Sequence, residues 1–121
     1  MSVMTNALKN AVEDLLDVGQ LSIEEALDRH FAPTFRQRVN GRWSDRADFS
    51  ARIAAVRDMA SQVTFTVLDE IADGACYAER HVIEMVQHDG KRIVQEVYVF
   101  AERDLHGRFV RIEEATMSIE R

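Results

Sequence analysis

Three long apolar-rich segments fill the C-terminal half of the chain: Ala75–His88, Lys91–Asp104 and Arg108–Glu120. Asp89-Gly90 and His106-Gly107 mark the junctions. Each segment is much longer than the usual strand of about 5–6 residues. Strands of that length twist and coil, so the sheet they form has to curl and leave a concave face. A further strand is predicted over Gln62–Ala72, where Val63, Phe65 and Val67 alternate with Thr64, Thr66 and Leu68. Asp73-Gly74 then turns the chain into the long segments, because tight hairpins need positive φ.

Three helical patterns come first. Leu8, Val12, Leu15 and Leu16 fall at helical spacing, with Gly19 placed to end that helix. Ser22-Ile23-Glu24-Glu25 is a capping box opening a helix that has to finish before Pro33. The third has Ser44 or Asp45 as N-cap, then Phe49, Ile53 and Val56 on one side, and Met59 and Ala60 close it. Between the second and third, Thr34–Val39 reads as a short strand and Asn40-Gly41 as a tight turn. The order is helix, helix, short strand, helix, then a four-strand meander. That order predicts an α+β fold, one domain over residues 1–121, with helices packed in a curved antiparallel sheet.

Both faces of the central strand carry apolar residues: Ile93, Val97 and Val99 on one, Val94, Tyr98 and Phe100 on the other. A sheet wet on one face alternates more cleanly. The second face is therefore expected to meet another copy, giving a homodimer through the sheet.

The formal net charge is -6, and no Lys/Arg-rich run occurs, which argues against a nucleic-acid partner. No apolar run approaches the roughly 20 residues of a membrane span. Met1-Ser2-Val3-Met4 lacks the basic-then-apolar pattern of a secretory leader, so a cytoplasmic location is expected. The single cysteine, Cys76, excludes an internal disulfide and reads as a small buried strand residue. There is no His-Glu-x-x-His, no paired-Cys motif, no nucleophile elbow and no phosphate- or dinucleotide-binding Gly-rich loop. His81 and Glu84 are three apart, on opposite strand faces. Neither a metal nor a cofactor is predicted.

The informative polar residues interrupt apolar strand faces. Glu96 lies between Val94 and Tyr98; Glu114 shares a face with Val110, Ile112 and Thr116; His81 shares one with Tyr77, Ile83 and Met85. Arg36 and Arg38 point together from the short first strand. Charges are expensive to bury alone, so such residues have partners or line a wet cavity. A carboxylate beside imidazole or guanidinium in an apolar cup suits acid–base catalysis. The plainer alternative for Glu96 and Glu114 is a cross-strand pair with Arg80 or Arg111.

Four stretches carry a family resemblance: Phe31–Gly41, Asp45–Phe49, Ala78–His81 and Gly107–Thr116. With the order of elements, they make the chain similar to the SnoaL-like branch of the nuclear transport factor 2-like (NTF2-like) superfamily. The resemblance implies a cone, a curved antiparallel sheet wrapped around helices with a pocket at its open end, and frequent dimers through the outer sheet face. Members include polyketide cyclases, steroid isomerases, epoxide hydrolases, dehydratases and proteins with no known activity. The resemblance matches the late-strand acid of the cyclases to Glu114. The isomerases' first-strand base has no counterpart, since that strand reads Arg36-Gln37-Arg38. Glu79, Arg80 and Glu114 supply the residue types of the hydrolases' set, but adjacent Glu79 and Arg80 face opposite ways.

Two functions follow as expectations. One is an isomerase- or cyclase-type enzyme moving a proton on a small apolar carbonyl compound. Glu114 or Glu96 is its base, His81 a second acid–base group, and Arg36, Arg38 or Tyr98 steadies an enolate oxygen. The other is a non-catalytic binder of a small hydrophobic acid. There Arg36 and Arg38 hold the anion, and Tyr98, Trp43 and Phe35 form the walls.

Overall fold

The computed structural model describes residues 4–119. The elements run α1 (Ala7–Leu15), α2 (Ile23–His30), β1 (Phe31–Val39), β2 (Arg42–Asp45), α3 (Arg46–Met59), β3 (Ala60–Asp73), β4 (Cys76–Gln87), β5 (Arg92–Arg103) and β6 (Phe109–Ser118). Met1–Val3, the first residues of the leader reading, and Glu120, the final residue of the last predicted segment, lie outside the described residues. No helix among those residues is long and apolar enough to cross a membrane.

The strands form one curved sheet in the order β2-β1-β6-β5-β4-β3. The long meander is present, with β4, β5 and β6 spanning 12, 12 and 10 residues. The sheet is mixed, because β1 runs parallel to β6 while every other pair is antiparallel. The strand β2 was not anticipated. Asn40 (φ 49) and Gly41 (φ 88) make the expected tight turn, and the chain then pairs back on β1 with Arg38 opposite Trp43. The strand β1 starts at Phe31, directly after α2 and three residues before the predicted Thr34. Its ladder with β6 jumps from Phe31↔Phe109 to Arg36↔Arg111, and Pro33, which has no N–H to give, sits in that gap.

Helix ends follow local chemistry. Ser22 and Glu25 form the capping box of α2. Asp45, not Ser44, caps α3, and Asp48 completes a second box. The helix α1 departs from expectation at its C-terminal end. It stops at Leu15, short of Gly19, because Arg57 supplies the missing donors: Nε to the Leu15 carbonyl at 2.6 Å and Nη2 to the Leu21 carbonyl at 2.8 Å. At its start Asn6 gives no side-chain cap. The sheet serves instead. Thr5 N donates to Glu70 at 2.6 Å, Leu8 N donates to the Tyr77 hydroxyl at 3.4 Å, and that hydroxyl donates to Glu70.

Two bulges set which side chains enter the core. In β3, Val67 faces His81 and Asp69 faces Arg80, so Leu68 is the extra residue. The phase flips there, which turns Glu70 inward and leaves Ile71 outside. In β6, Phe109 faces Arg103 and Arg111 faces Glu102, so Val110 is extra. Phe109 and Ile112 are thereby both buried, although they are three apart. Phe31, Phe35 and Phe49 meet at ring distances of 4.8–5.2 Å in the core between helices and sheet. Cys76 is exposed rather than buried, since Tyr77 takes the inward position at the start of β4.

The Glu70–Tyr77 clasp generates a prediction. Burial pushes the Glu70 carboxyl up, but the Tyr77 hydroxyl and the Thr5 and Ala7 donors outweigh it and hold it below its ordinary 4.5. A carboxyl lowered by folding contributes stability above its ordinary value, and that contribution is lost as pH falls through the lowered one. Urea unfolding from pH 7 to pH 3 should show a larger acid loss in the parent than in E70Q, with Asp14 and Asp104, also lowered by folding, supplying the remainder. Tyr77→Phe, which strands buried groups, should cost about 1–3 kcal/mol at pH 7.

Candidate functional site

Strand alternation places the inner face. Phe35 is in the core, so Gln37, two residues on, also points inward, and both are buried. On β4, Tyr77, Glu79 and His81 are buried on that same face. On β6, the bulge brings Ile112, Glu114 and Thr116 to it. The registers Glu79↔Val99 and Val99↔Glu114 put Glu79 and Glu114 on either side of one β5 residue, about 10 Å apart along the ladder.

Over this face the helices leave a cavity of about 250 Å³. Leu8, Val12 and Leu15 of α1 and Phe49, Ile53 and Val56 of α3 form its roof. Its polar lining is Gln37, His81, Gln95, Glu114 and Thr116. An apolar annex of about 150 Å³, reaching Val63, Met85 and Ile93, shares Leu16, Val56, Ile83 and Gln95 with it. A wider recess of about 390 Å³ lies outside, between the ends of α1 and α3 and the start of β3, and shares Val12, Leu16, Val56 and Phe65 with the cavity. Asp14 in that recess is tied to His30 and Arg29. His81 and Glu114, two of the ionisable residues that interrupt apolar strand faces, both line the inner cavity, which is the candidate site.

His81 is fixed on two sides. Phe65 stacks on its ring at 3.8 Å with 22° between planes, and Nδ1 is bonded to the Glu79 carboxylate. A carboxylate accepts, so Nδ1 carries the proton and the Nε2 lone pair is left for a guest. The second Glu79 oxygen is buried without a partner among the described residues. That ties the carboxylate to the imidazole, since the pair satisfies what little of Glu79 is satisfied.

Glu114 accepts from Gln37 Nε2 at 3.0 Å. Burial is the main influence on its carboxyl and pushes it above the ordinary 4.5. The Gln37 hydrogen bond, the Arg52 charge and, when its ring is protonated, His81 pull it down, while Glu79 adds to the rise. The site therefore pairs an imidazole nitrogen able to accept a proton with a carboxyl held toward its neutral form.

Of the residues singled out in the sequence, His81 and Glu114 converge and the others do not. Glu96 is on the outer face, where Tyr98 donates to it at 3.0 Å and Arg80 lies 3.9 Å away. Tyr98 is exposed on that face too. Arg36 lies over the Trp43 ring at 4.2 Å, and Arg38 pairs with Glu113 at 3.2 Å. Trp43 sits on β2 and is exposed, and Phe35 is packed in the core rather than lining the cavity. Glu79, Gln37 and Arg52 are the site residues not anticipated. For Gln37 and Glu79 the signal was alternation: with Phe35 and His81 inward, they had to be inward, and Arg36 and Arg38 outward; Arg52, on α3, carried no such signal.

No family model matches the sequence, and no curated protein matches it. Solved structures do match. An NTF2-like protein of unknown function from Exiguobacterium sp. 255-15 aligns with TM-score 0.68 and 17% identity, over 95% of this chain and 99% of that one. A protein of ketosteroid isomerase-like fold from Catenulispora acidiphila, in complex with trimethylamine, aligns with TM-score 0.71 and 11% identity, over 93% and 85%. IdmH, a polyketide cyclase candidate of Streptomyces antibioticus, aligns with TM-score 0.65 and 19% identity, over 91% and 90%. The fold is NTF2-like, as the resemblance implied.

Because folding raises the Glu114 carboxyl, the folded state binds more protons than the unfolded chain between 4.5 and the raised value. Stability then falls as pH rises through that window, and the penalty persists at neutral pH. Glu114→Gln should therefore raise the melting temperature at pH 7 and leave it nearly unchanged near pH 4. Calorimetry at the two pH values checks this.

Proposed function

We propose that this protein is an enzyme moving a proton on a small, neutral, mainly apolar carbonyl compound. The observation that carries the reading is that His81 and Glu114 line one largely apolar cavity, with Glu79 holding the His81 Nδ1. In this reading His81 Nε2 takes a proton from the carbon next to the carbonyl. The C–H electron pair moves into the enolate, and the neutral Glu114 carboxyl donates to the carbonyl oxygen as charge develops there. The imidazolium then returns the proton to carbon, or the enolate carbon attacks a second carbonyl in the same molecule, whose C=O π pair becomes an alkoxide that takes the proton back from the imidazolium. Glu79 offsets the imidazolium charge and fixes the tautomer, as an orienting carboxylate does in other acid–base sites. The annex beside Met85 and Ile93 accepts the apolar end of the guest.

Binding of a hydrophobic acid is the weaker reading. It depends on Arg36 and Arg38, which face away from the cavity toward Trp43 and Glu113. An anion in the cavity meets the Glu79 and Glu114 carboxyls instead. The neighbours' names, a cyclase candidate and a ketosteroid isomerase-like fold, fit the enzymatic reading at the level of fold alone.

Deuterium exchange next to the carbonyl of small cyclic ketones, followed by NMR, tests the proposal. The parent should accelerate exchange, and H81A and E114Q should each reduce it by about 10²–10⁴-fold. Tight binding of ketones with no exchange by the parent would refute the enzyme.

The working unit is proposed to be a homodimer through the outer sheet face. Ile71 and Phe100 both flank Ala78 there and are 70% and 52% exposed, with Tyr98 beside them. Light scattering should give twice the chain mass for the parent and the single-chain mass for Phe100→Glu.

A further inference from the structure

The cavity groups discussed so far leave one charged neighbour without a role. Arg52 projects from the exposed side of α3, outside the apolar roof, and makes two contacts. Its Nη2 donates to Gln37 Oε1 at 2.5 Å and to Ser44 Oγ at 2.8 Å. Ser44 is in β2 and Gln37 in β1, so the guanidinium bridges the edge of the sheet to the helix.

A guanidinium has only donors, and a glutamine amide has one oxygen and one NH₂. Against Arg52 the Gln37 amide can present only its oxygen. Its NH₂ is then forced to the far side, where it donates to Glu114 Oε1 at 3.0 Å. With Arg52 absent, the amide is free to turn over and offer its oxygen, which a neutral carboxyl prefers and a carboxylate rejects. We infer that Arg52 is a positioning residue for Glu114, setting its proton occupancy through the orientation of the Gln37 amide.

The other ionisable groups facing Glu114 are His81 and Glu79, both on β4. The lining from α1 (Leu8, Val12, Leu15) and β5 (Gln95, Val97) carries no charge. Arg52 is thus the group through which the outer surface of α3 reaches the buried acid. A change at the exposed end of this chain of donors alters the acid without touching the cavity wall.

This deepens the reading of Glu114 as a proton donor, but its test needs no turnover. Protein labelled with ¹³C at the glutamate carboxyls is titrated by NMR, with E114Q identifying the resonance. R52M should move the Glu114 midpoint to higher pH than in the parent. R52K, which also presents only donors, should stay near the parent. In a Q37L background, R52M should keep only the part of the shift due to the Arg52 charge, well under its shift in the parent, because the intermediary is gone. A full R52M shift in the Q37L background would mean that Arg52 acts by its charge alone, and would overturn the inference. An unmoved midpoint in R52M would overturn it as well. Should R52M fail to fold, S44A loosens the same guanidinium; it should give a smaller upward shift, and no shift would again overturn the inference. The titration is independent of catalysis, so an inactive protein and a disconnected Arg52 give different results.

Discussion

The parallel ladder between β1 and β6 is the constraint from which the rest of the architecture follows. It joins the early and late parts of the chain, with Gln37 beside Ile112 and Val39 beside Glu114. Without it the meander would be an open ribbon, and the helices would have no wall on that side. With it, β1 brings its inward polar residue to the β6 acid, and α3, which follows the β2 hairpin, brings Arg52 to both. The ladder is long-range and parallel, the kind of pairing whose chain-closure entropy has to be met before its contacts form. The aromatic cluster of Phe31, Phe35 and Phe49 ties β1 to α3 at the same place.

Much of the fold was legible because its signals are local. The glycine turns, the Ser22–Glu25 capping box, the N-cap of α3 and strand alternation are each set by a few adjacent residues. The strand β2 was missed because four residues, Arg42–Asp45, carry no periodicity of their own and pair only because the Asn40-Gly41 turn folds them back. The bulges at Leu68 and Val110 were invisible for a related reason. Each depends on which residue stands opposite, and strand sequence alone does not give that.

The site was half legible. His81 and Glu114 stand out because they break apolar faces. Glu96 breaks one as well, yet the face it breaks is the outer one, where Arg80 and Tyr98 meet it. Residue type drew notice to the arginines of β1, whereas phase decided the matter in favour of the glutamine between them. A buried glutamine looks unremarkable in sequence. Its value here comes from the direction of its amide, which only three-dimensional neighbours determine. The two acids also differ in what they cost. Glu79 is held by a partner of complementary chemistry, while Glu114 is held against its own preference for water, the arrangement expected where function is favoured over stability.

The roof helix α1 has a further consequence. It is short, its first turn lacks a side-chain cap of its own, and it is fastened by sheet residues at one end and by Arg57 at the other. Isolated helices of nine residues are marginal in water, so this one owes its persistence to those two fastenings and to Leu8, Ala11 and Leu15 below it. The segment that shuts the chamber is thus also the one with the least cohesion of its own. Under the proposed function, a guest would reach the chamber by loosening this helix from its tertiary ties, while the curved wall behind it stays whole.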